Sequence, residues 1–232
     1  MSNKKKIKGL EYDHASIYPN TKTLSSSQVL LVLDDPEKFF MEYKMGQRRE
    51  ESNVMSIGSV FSCAYTDRKV NWRKLLEERN AKPKRIYQEF DEALKMLPVV
   101  PKRYCEYPMT CNYKGWKFRA TLDGYYPKNN VAIENKTGSK QWVYGELTKS
   151  EELYKESVDT SGQITFQNWV NWKKNKKPFD YTQLHWVDFR PQNQKEQLVQ
   201  TLKTKRTVEQ LQEFQLLVDQ AIKNVEVVNT WI

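Results

Sequence analysis

The stretch that decides the fold reads Ala120-Thr121-Leu122-Asp123-Gly124-Tyr125-Tyr126, then a short polar loop, and then Val131-Ala132-Ile133-Glu134-Asn135-Lys136-Thr137-Gly138. Both runs are rich in β-branched and aromatic residues, which favours two neighbouring strands. Side chains alternate between the faces of a strand, so Glu134 and Lys136 project from the same face. If the runs form a hairpin, the step of 11 residues from Asp123 to Glu134 (134 − 123 = 11) brings the two carboxylates side by side.

This arrangement suits a divalent cation and an attacking water, because it gathers two hard oxygen ligands and one ammonium around a point. We expect Asp123 and Glu134 to bind Mg²⁺, with the backbone carbonyl of Asn135 as a third ligand. Lys136 would orient the water or help to deprotonate it, and the metal would offset charge on a phosphate in the transition state. The alternative is that three charged residues occupy the solvent face of a sheet, and the pattern alone does not exclude it.

Helical patterns precede the hairpin. Ser25-Ser26-Ser27 offers caps for a first helix, and Asp35-Pro36 offers a cap and a first-turn proline for a second helix, Glu37 to Lys44. Apolar residues at helical spacing predict three further helices, which are Met55 to Tyr65, Trp72 to Glu78 and Ile86 to Leu97. The periodicity then changes to that of strands, and Tyr104 to Tyr113, Trp116 to Tyr126 and a run starting at Val131 predict a meander of three antiparallel strands.

The pattern after the hairpin predicts helices at Leu147 to Ser157 and Gln163 to Trp172, a strand at Tyr181 to Phe189 and a final helix from Val208 to Val225. On that last helix, Leu211, Phe214, Val218 and Ile222 share one face. We therefore predict an α/β fold with a central mixed β-sheet and flanking helices. A single domain is expected, with a polar segment at 1–21, a core at 22–190 and a C-terminal helical extension at 191–232.

Composition narrows the class of partner. The chain has 38 Lys and Arg against 29 Asp and Glu, a net charge of +9, which favours partners rich in phosphate. No apolar stretch is long enough to span a membrane and no signal peptide is present, so we expect a cytoplasmic protein. The three scattered cysteines, Cys63, Cys105 and Cys111, fit reduced thiols, and without a CxxC pair a zinc site is not expected. The two histidines, His14 and His185, receive no functional role.

Motifs II and III of the PD-(D/E)XK nucleases resemble two segments of this chain, Leu122-Asp123-Gly124 and Ile133-Glu134-Asn135-Lys136-Thr137. The resemblance is to the branch of RecB-type nucleases, CRISPR adaptation nucleases and phage recombination exonucleases. Three flanking features support it in the same order: the opening helices with Leu24-Ser25-Ser26-Ser27-Gln28, Asp35-Pro36-Glu37-Lys38-Phe39-Phe40 and Tyr43; the helix with Ile57-Gly58-Ser59-Val60-Phe61-Ser62; and Gln163-Ile164-Thr165-Phe166-Gln167, similar to a Q-x-x-x-Y motif. It covers roughly residues 22 to 190, and the ordered combination is more specific than any single part.

The resemblance implies a Mg²⁺-dependent deoxyribonuclease, with Mn²⁺ as a substitute metal, in which Gln163 contacts the scissile region or fixes Lys136. It also implies an exonuclease of phage or mobile-element recombination that resects linear duplex DNA, as a homo-oligomer with a single-strand annealing partner. The sequence departs from the family's pattern at three positions. Ser62 replaces a histidine that helps to hold metal, and Gln167 replaces the tyrosine. Asp35 replaces the first cysteine of iron-sulfur members, and no cysteine follows Cys111, so no Fe-S cluster is expected.

Two alternatives remain open from the sequence. The first is a DNA-binding module of the same fold that has lost catalysis, which the departures at Ser62 and Gln167 would favour. The second is a protein-interaction factor that uses the amphipathic helix from Val208 to Val225. Burial of its apolar face within the same chain would argue against that use.

Overall fold

The computed structural model describes residues 22–47, 53–79, 86–137, 142–143, 146–147, 158–187 and 199–231. A mixed sheet of six strands lies at its centre in the order β1-β3-β4-β7-β8, with β2 paired to β3. These strands are β1 (Thr23–Ser25), β2 (Cys105–Tyr113), β3 (Trp116–Tyr126), β4 (Val131–Thr137), β7 (Tyr181–Val187) and β8 (Val199–Thr204), and β5 (Trp142–Val143) pairs separately with β6 (Glu146–Leu147). The predicted fold class, an α/β fold with a central mixed sheet, is confirmed.

Helices flank the sheet close to their predicted positions. They are α1 (Ser26–Asp34), α2 (Pro36–Phe39) continued by a π-helical turn (Phe40–Lys44), α3 (Asn53–Thr66), α4 (Trp72–Glu78), α5 (Ile86–Met96), a 3-10 turn (Lys102–Tyr104), α6 (Gly162–Asn175) and α7 (Val208–Val228). Asp35 caps α2 as expected, because its Oδ1 accepts a hydrogen bond from the Lys38 amide at 2.8 Å. The predicted helix from Leu147 to Ser157 lies outside the described residues, except for Leu147, which belongs to β6.

The predicted meander is present. β2 pairs antiparallel with β3 around the turn at Lys114-Gly115, and β3 pairs antiparallel with β4 in a register that sets Gly124 opposite Ile133. β4 also pairs in parallel with β7. The sheet is mixed because this pair and the pair of β1 and β3 are parallel while the others are antiparallel. β4 has neighbours on both edges, so the site-bearing strand lies inside the sheet.

The end of the chain differs from the predicted helical extension at 191–232. Before α7, the segment Val199–Thr204 forms β8 and adds to the central sheet beside β7. Only the two end residues of β8, Val199 and Thr204, are buried, so its apolar periodicity is weak and its stability comes from pairing with β7. The predicted boundary at residue 190, between the core and the C-terminal extension, therefore separates β8 from the sheet to which it belongs.

Alternate residues of β4 serve two cores. Val131 and Ile133 pack with the α3, α4 and α5 side of the sheet, whereas Ala132 packs with the α1, α6 and α7 side. Helix α3 approaches β4 closely at Gly58, where a Cβ atom would lie 2.9 Å from Oγ1 of Thr137. The strand is thus held between a helical layer on each face.

The apolar face of α7 is buried within this chain. Leu211, Phe214, Val218 and Ile222 belong to the core formed with α1 and α6. The alternative of a partner-binding helix required this apolar face to be available. The face instead packs against other helices of the same chain. No helix in the described ranges is both long and apolar enough to cross a membrane.

His185 is a buried member of β7 rather than a site residue. Its Nδ1 lies 2.9 Å from Oγ1 of Thr201, and its Nε2 lies 3.2 Å from the amide nitrogen of Gln183. That nitrogen is a donor, so the Nε2 of His185 accepts and the ring is neutral. Burial lowers the pKa of His185 from 6.5 to about 4.

This shift predicts an acid sensitivity of the fold. Between pH 6.5 and pH 4 the unfolded chain binds a proton at His185 that the folded chain does not, so stability falls as the pH falls through this window. Chemical denaturation at pH 7 and pH 4.5 should show a loss of roughly 2–3 kcal/mol in the free energy of unfolding from this residue. The variant His185→Gln should lose correspondingly less over the same interval, and an equal loss in both proteins would contradict the assignment.

Candidate active site

The hairpin of β3 and β4 brings the predicted acidic residues together. Continuing the observed register by one step sets Asp123 opposite Glu134. The backbone amide of Asn135 donates to Oδ2 of Asp123 at 2.6 Å, which fixes this carboxylate against β4. Asp123, Glu134 and Asn135 therefore lie at one point of the sheet, as the spacing predicted.

Glu134, Lys136 and Gln163 form a closed triangle of polar contacts. The Nζ of Lys136 lies 2.6 Å from Oε1 of Glu134 and donates to Oε1 of Gln163 at 2.7 Å. The Nε2 of Gln163 donates to the same Oε1 of Glu134 at 2.6 Å. Gln163 belongs to α6, so a residue from a separate element fixes both charged groups of β4.

Gln167 also contacts Glu134, and the sequence did not predict this. Its Nε2 donates to Oε2 of Glu134 at 2.8 Å and lies 3.3 Å from the backbone oxygen of Thr121 on β3. Residues four apart lie on the same face of a helix, so Gln163 and Gln167 project together from α6. That spacing was a usable signal for a pair of amides facing the same partner.

The start of α6, which carries Gln163, is held by a buried arginine. Arg206 is 4% exposed and follows β8. Its Nε donates to Oγ1 of Thr165 at 2.8 Å, and its Nη2 donates to the backbone oxygen of Val158 at 2.9 Å. Ser161 caps the helix by accepting the amide of Ile164. The position of Gln163 thus depends on β8, the strand missed by the sequence.

The charges of the site perturb one another. Burial, with the nearby charge of Glu134, raises the pKa of Asp123 well above its ordinary value. Burial acts to lower the pKa of Lys136, but the attraction of Glu134 and Asp123 outweighs it, so the net direction is a raised pKa. The lysine is therefore held in its protonated form as long as the carboxylates are its neighbours.

A third carboxylate, Glu106, lies near this group. Its charge contributes to the raised pKa of Asp123, and its Oε1 accepts a hydrogen bond from Oγ of Ser62 at 2.6 Å. Ser62, where the resemblance leads one to expect histidine, thus faces a carboxylate. Glu106 has φ +46°, an unusual backbone conformation for this residue type, and nothing in the sequence pattern pointed to it.

An open cleft of about 420 Å³ adjoins Lys136. It lies between α3 and the end of β4, and its lining includes Gly58, Ser62, Asn135 and Thr137. The side chain of Lys136 is 37% exposed, whereas that of its partner Glu134 is only 3% exposed.

The donor set fits a hard divalent cation. Asp123 and Glu134 supply carboxylate oxygens within one hairpin, and the backbone of Asn135 runs beside them. Across the described ranges no three His, Cys, Asp or Glu side chains lie close enough to form a metal-ligand cluster, so the protein would provide few ligands. Mg²⁺ commonly binds through one or two carboxylates and retains several waters.

No protein-family model matches the chain, and no curated protein matches it. Among solved structures, a candidate exonuclease from Eubacterium rectale superposes with a TM-score of 0.65 at 15% sequence identity, covering 95% of this chain and 85% of its own. The two chains share one fold. A phage-related exonuclease from Haemophilus somnus covers 94% of this chain and 95% of its own at 12% identity, but its TM-score of 0.36 is too low to carry an argument.

Proposed function

We propose that this protein is a Mg²⁺-dependent deoxyribonuclease of the PD-(D/E)XK type that hydrolyses phosphodiester bonds of DNA. The main support is that four side chains from two strands and one helix lie together, namely Asp123, Glu134, Lys136 and Gln163. If these charged residues only faced solvent, Glu134 would not need to be buried, nor would both of its carboxylate oxygens need hydrogen-bond donors from the protein. The fold shared with a candidate exonuclease and the net charge of +9 support the same proposal.

The side chains have separate parts in this proposal. Asp123 and Glu134 would hold the metal, which would supply an activated water and offset charge on the phosphate. Lys136, beside the cleft, would orient the attacking water, and after releasing its own proton to solvent it would take up the proton that this water loses, while Gln163 holds its nitrogen in place. A lysine whose charge is stabilised by two carboxylates releases its proton more readily once those carboxylates are engaged elsewhere.

The finer proposal is an exonuclease that begins at the ends of linear duplex DNA in phage or mobile-element recombination. It would act in the cytoplasm, as a homo-oligomer with a single-strand annealing partner. The resemblance to phage recombination exonucleases supports this part, which is separable from the chemistry of the site.

The test compares end-labelled linear duplex, circular duplex and single-stranded DNA in Mg²⁺, in Mn²⁺ and in chelator. Wild-type protein should degrade linear DNA only with metal, and Glu134→Ala should reduce the rate to background because a buried ligand is lost. Survival of the circles would establish the need for an end. The control Glu78→Ala removes a carboxylate from an exposed i,i+4 ion pair with Lys74 and should retain the full rate.

Binding of DNA without cleavage under every metal condition would refute the nuclease and favour the inactive DNA-binding module. Equal cleavage by wild-type protein and Glu134→Ala would indicate a contaminating nuclease or a different site. Cleavage of circles and linear DNA at the same rate would refute the exonuclease while leaving the deoxyribonuclease standing.

A further inference from the structure

Each oxygen of the Glu134 carboxylate has its own hydrogen-bond donors. Oε1 faces Lys136 and Gln163, whereas Oε2 receives its bond from Gln167 at 2.8 Å. Glu134 and Gln167 are both only 2% exposed, so solvent does not compete with this contact. Among the described residues, Gln167 is thus the side chain that fixes Oε2.

The amide of Gln167 has one workable orientation. Its Nε2 meets two acceptors, Oε2 of Glu134 and the backbone oxygen of Thr121, so exchanging nitrogen and oxygen would set three oxygens against one another. The Oε1 of Gln167 is buried, and no donor reaches it in the described part of the chain. An unsatisfied buried carbonyl is destabilising, and an apolar side chain of similar size would avoid that cost.

Because its buried oxygen is unsatisfied, Gln167 is a poor choice for packing alone, which indicates that its amide has a role at the site. The helix could fill the space at position 167 with methionine or leucine and avoid the unsatisfied oxygen. A methionine or leucine could not fix the plane of the Glu134 carboxylate. Neither could it connect that carboxylate to β3, the strand that carries Asp123. The two strands that supply the carboxylates are therefore bridged by one amide.

We propose that Gln167 is a positioning residue that preorganises Glu134 for the metal and sets the affinity of the site for a divalent cation. The inference rests on the proposed function, since it assumes that Glu134 is a metal ligand. With Oε2 fixed, the direction of Oε1 toward Lys136 and the hairpin is fixed as well. Loss of an outer hydrogen bond to a metal ligand typically weakens metal binding 10- to 100-fold.

The experiment measures Mn²⁺ binding by titration calorimetry in the absence of DNA, so that the readout does not depend on cleavage. Gln167→Met retains the approximate volume and removes the donor, and its dissociation constant for Mn²⁺ should rise about 10- to 100-fold. Gln167→Asn retains an amide on a side chain that is one methylene shorter, and it should also raise the dissociation constant for Mn²⁺. Thermal unfolding of each variant shows that the protein measured is folded.

The matched control is Asn168→Leu, on the same helix. Asn168 is also buried and amide-bearing, but it donates to the backbone oxygen of Ile164 and to Oγ1 of Thr182, not to Glu134. This variant should lose stability without a change in Mn²⁺ affinity. Wild-type affinity in both Gln167 variants would overturn the inference, as would an equal loss of affinity in Asn168→Leu.

The wild-type titration separates this inference from the proposed function. If wild-type protein binds no Mn²⁺, the metal-dependent nuclease itself fails and Gln167 has no metal ligand to position. If wild-type protein and Glu134→Ala differ in Mn²⁺ binding while Gln167→Met equals wild type, only the role of Gln167 is refuted.

Discussion

Replacement of Lys136 by methionine is expected to lower the rate of DNA cleavage about 10²- to 10⁴-fold, the usual contribution of a positioned acid or base. The ammonium that lies between Glu134 and Gln163 is lost, while both carboxylates remain. Removal of a positive charge 2.6 Å from Glu134 should leave Mn²⁺ binding at least as tight as in wild type. Single-turnover cleavage and calorimetry on the same preparation measure the two effects.

Two variants sharpen this result. Lys136→Arg retains the charge but not the ability to release a proton, and a planar guanidinium does not fit the place of an ammonium, so it should not restore the rate. Lys177→Met removes a lysine paired at 2.7 Å with Asp180 on the surface and should cleave as wild type does. A Lys136→Met rate within threefold of wild type would show that the lysine has no part in the chemical step.

Replacement of Trp169 by alanine is expected to lower the free energy of unfolding by about 3–5 kcal/mol. Trp169 is fully buried in α6, and its ring packs against those of Tyr113, Phe118 and Phe166 at centroid distances of 5.6, 5.0 and 6.1 Å. The substitution removes the centre of this aromatic cluster and leaves a cavity in the layer that supports Gln163 and Gln167. Chemical denaturation at pH 7 measures the loss.

Matched substitutions separate packing from other effects. Trp169→Phe should cost less than half as much, because it keeps an aromatic ring and removes an indole N–H that has no acceptor among the described residues. Trp231→Ala removes a tryptophan that is 47% exposed and contacts Phe40 at its edge, so a loss below about 1.5 kcal/mol is expected. Equal losses at positions 169 and 231 would contradict the assignment of the core.

The sequence predicted those parts of the fold that depend on local pattern. The hairpin of β3 and β4 follows from alternation and a polar turn, and the positions of Asp123, Glu134 and Lys136 follow from a period of two. α4 and β3 begin and end at the predicted residues. The order of apolar and polar residues within each of these segments is enough to indicate a helix or a strand.

The missed parts depend on contacts between distant segments. β1 has three residues and exists through parallel pairing with Lys117 to Arg119 of β3. β8 is stabilised by β7, and the partner of Gln167 lies 33 residues away on another element. No periodicity within a short window reports such contacts, and the unusual backbone of Glu106 gives no compositional signal either.

The packing of α7 on α1 has a consequence for the order of events during synthesis. Asn224 donates to the backbone oxygen of Val32 at 3.0 Å, a contact that joins residues 192 apart. At roughly 5–20 residues per second, about 10–40 s pass between translation of these two positions. Until then the layer beneath α6 lacks its last helix, and α6 carries the two amides that hold Glu134. The arrangement of these amides around Glu134 is therefore complete only once α7 has been translated and has packed against α1 and α6.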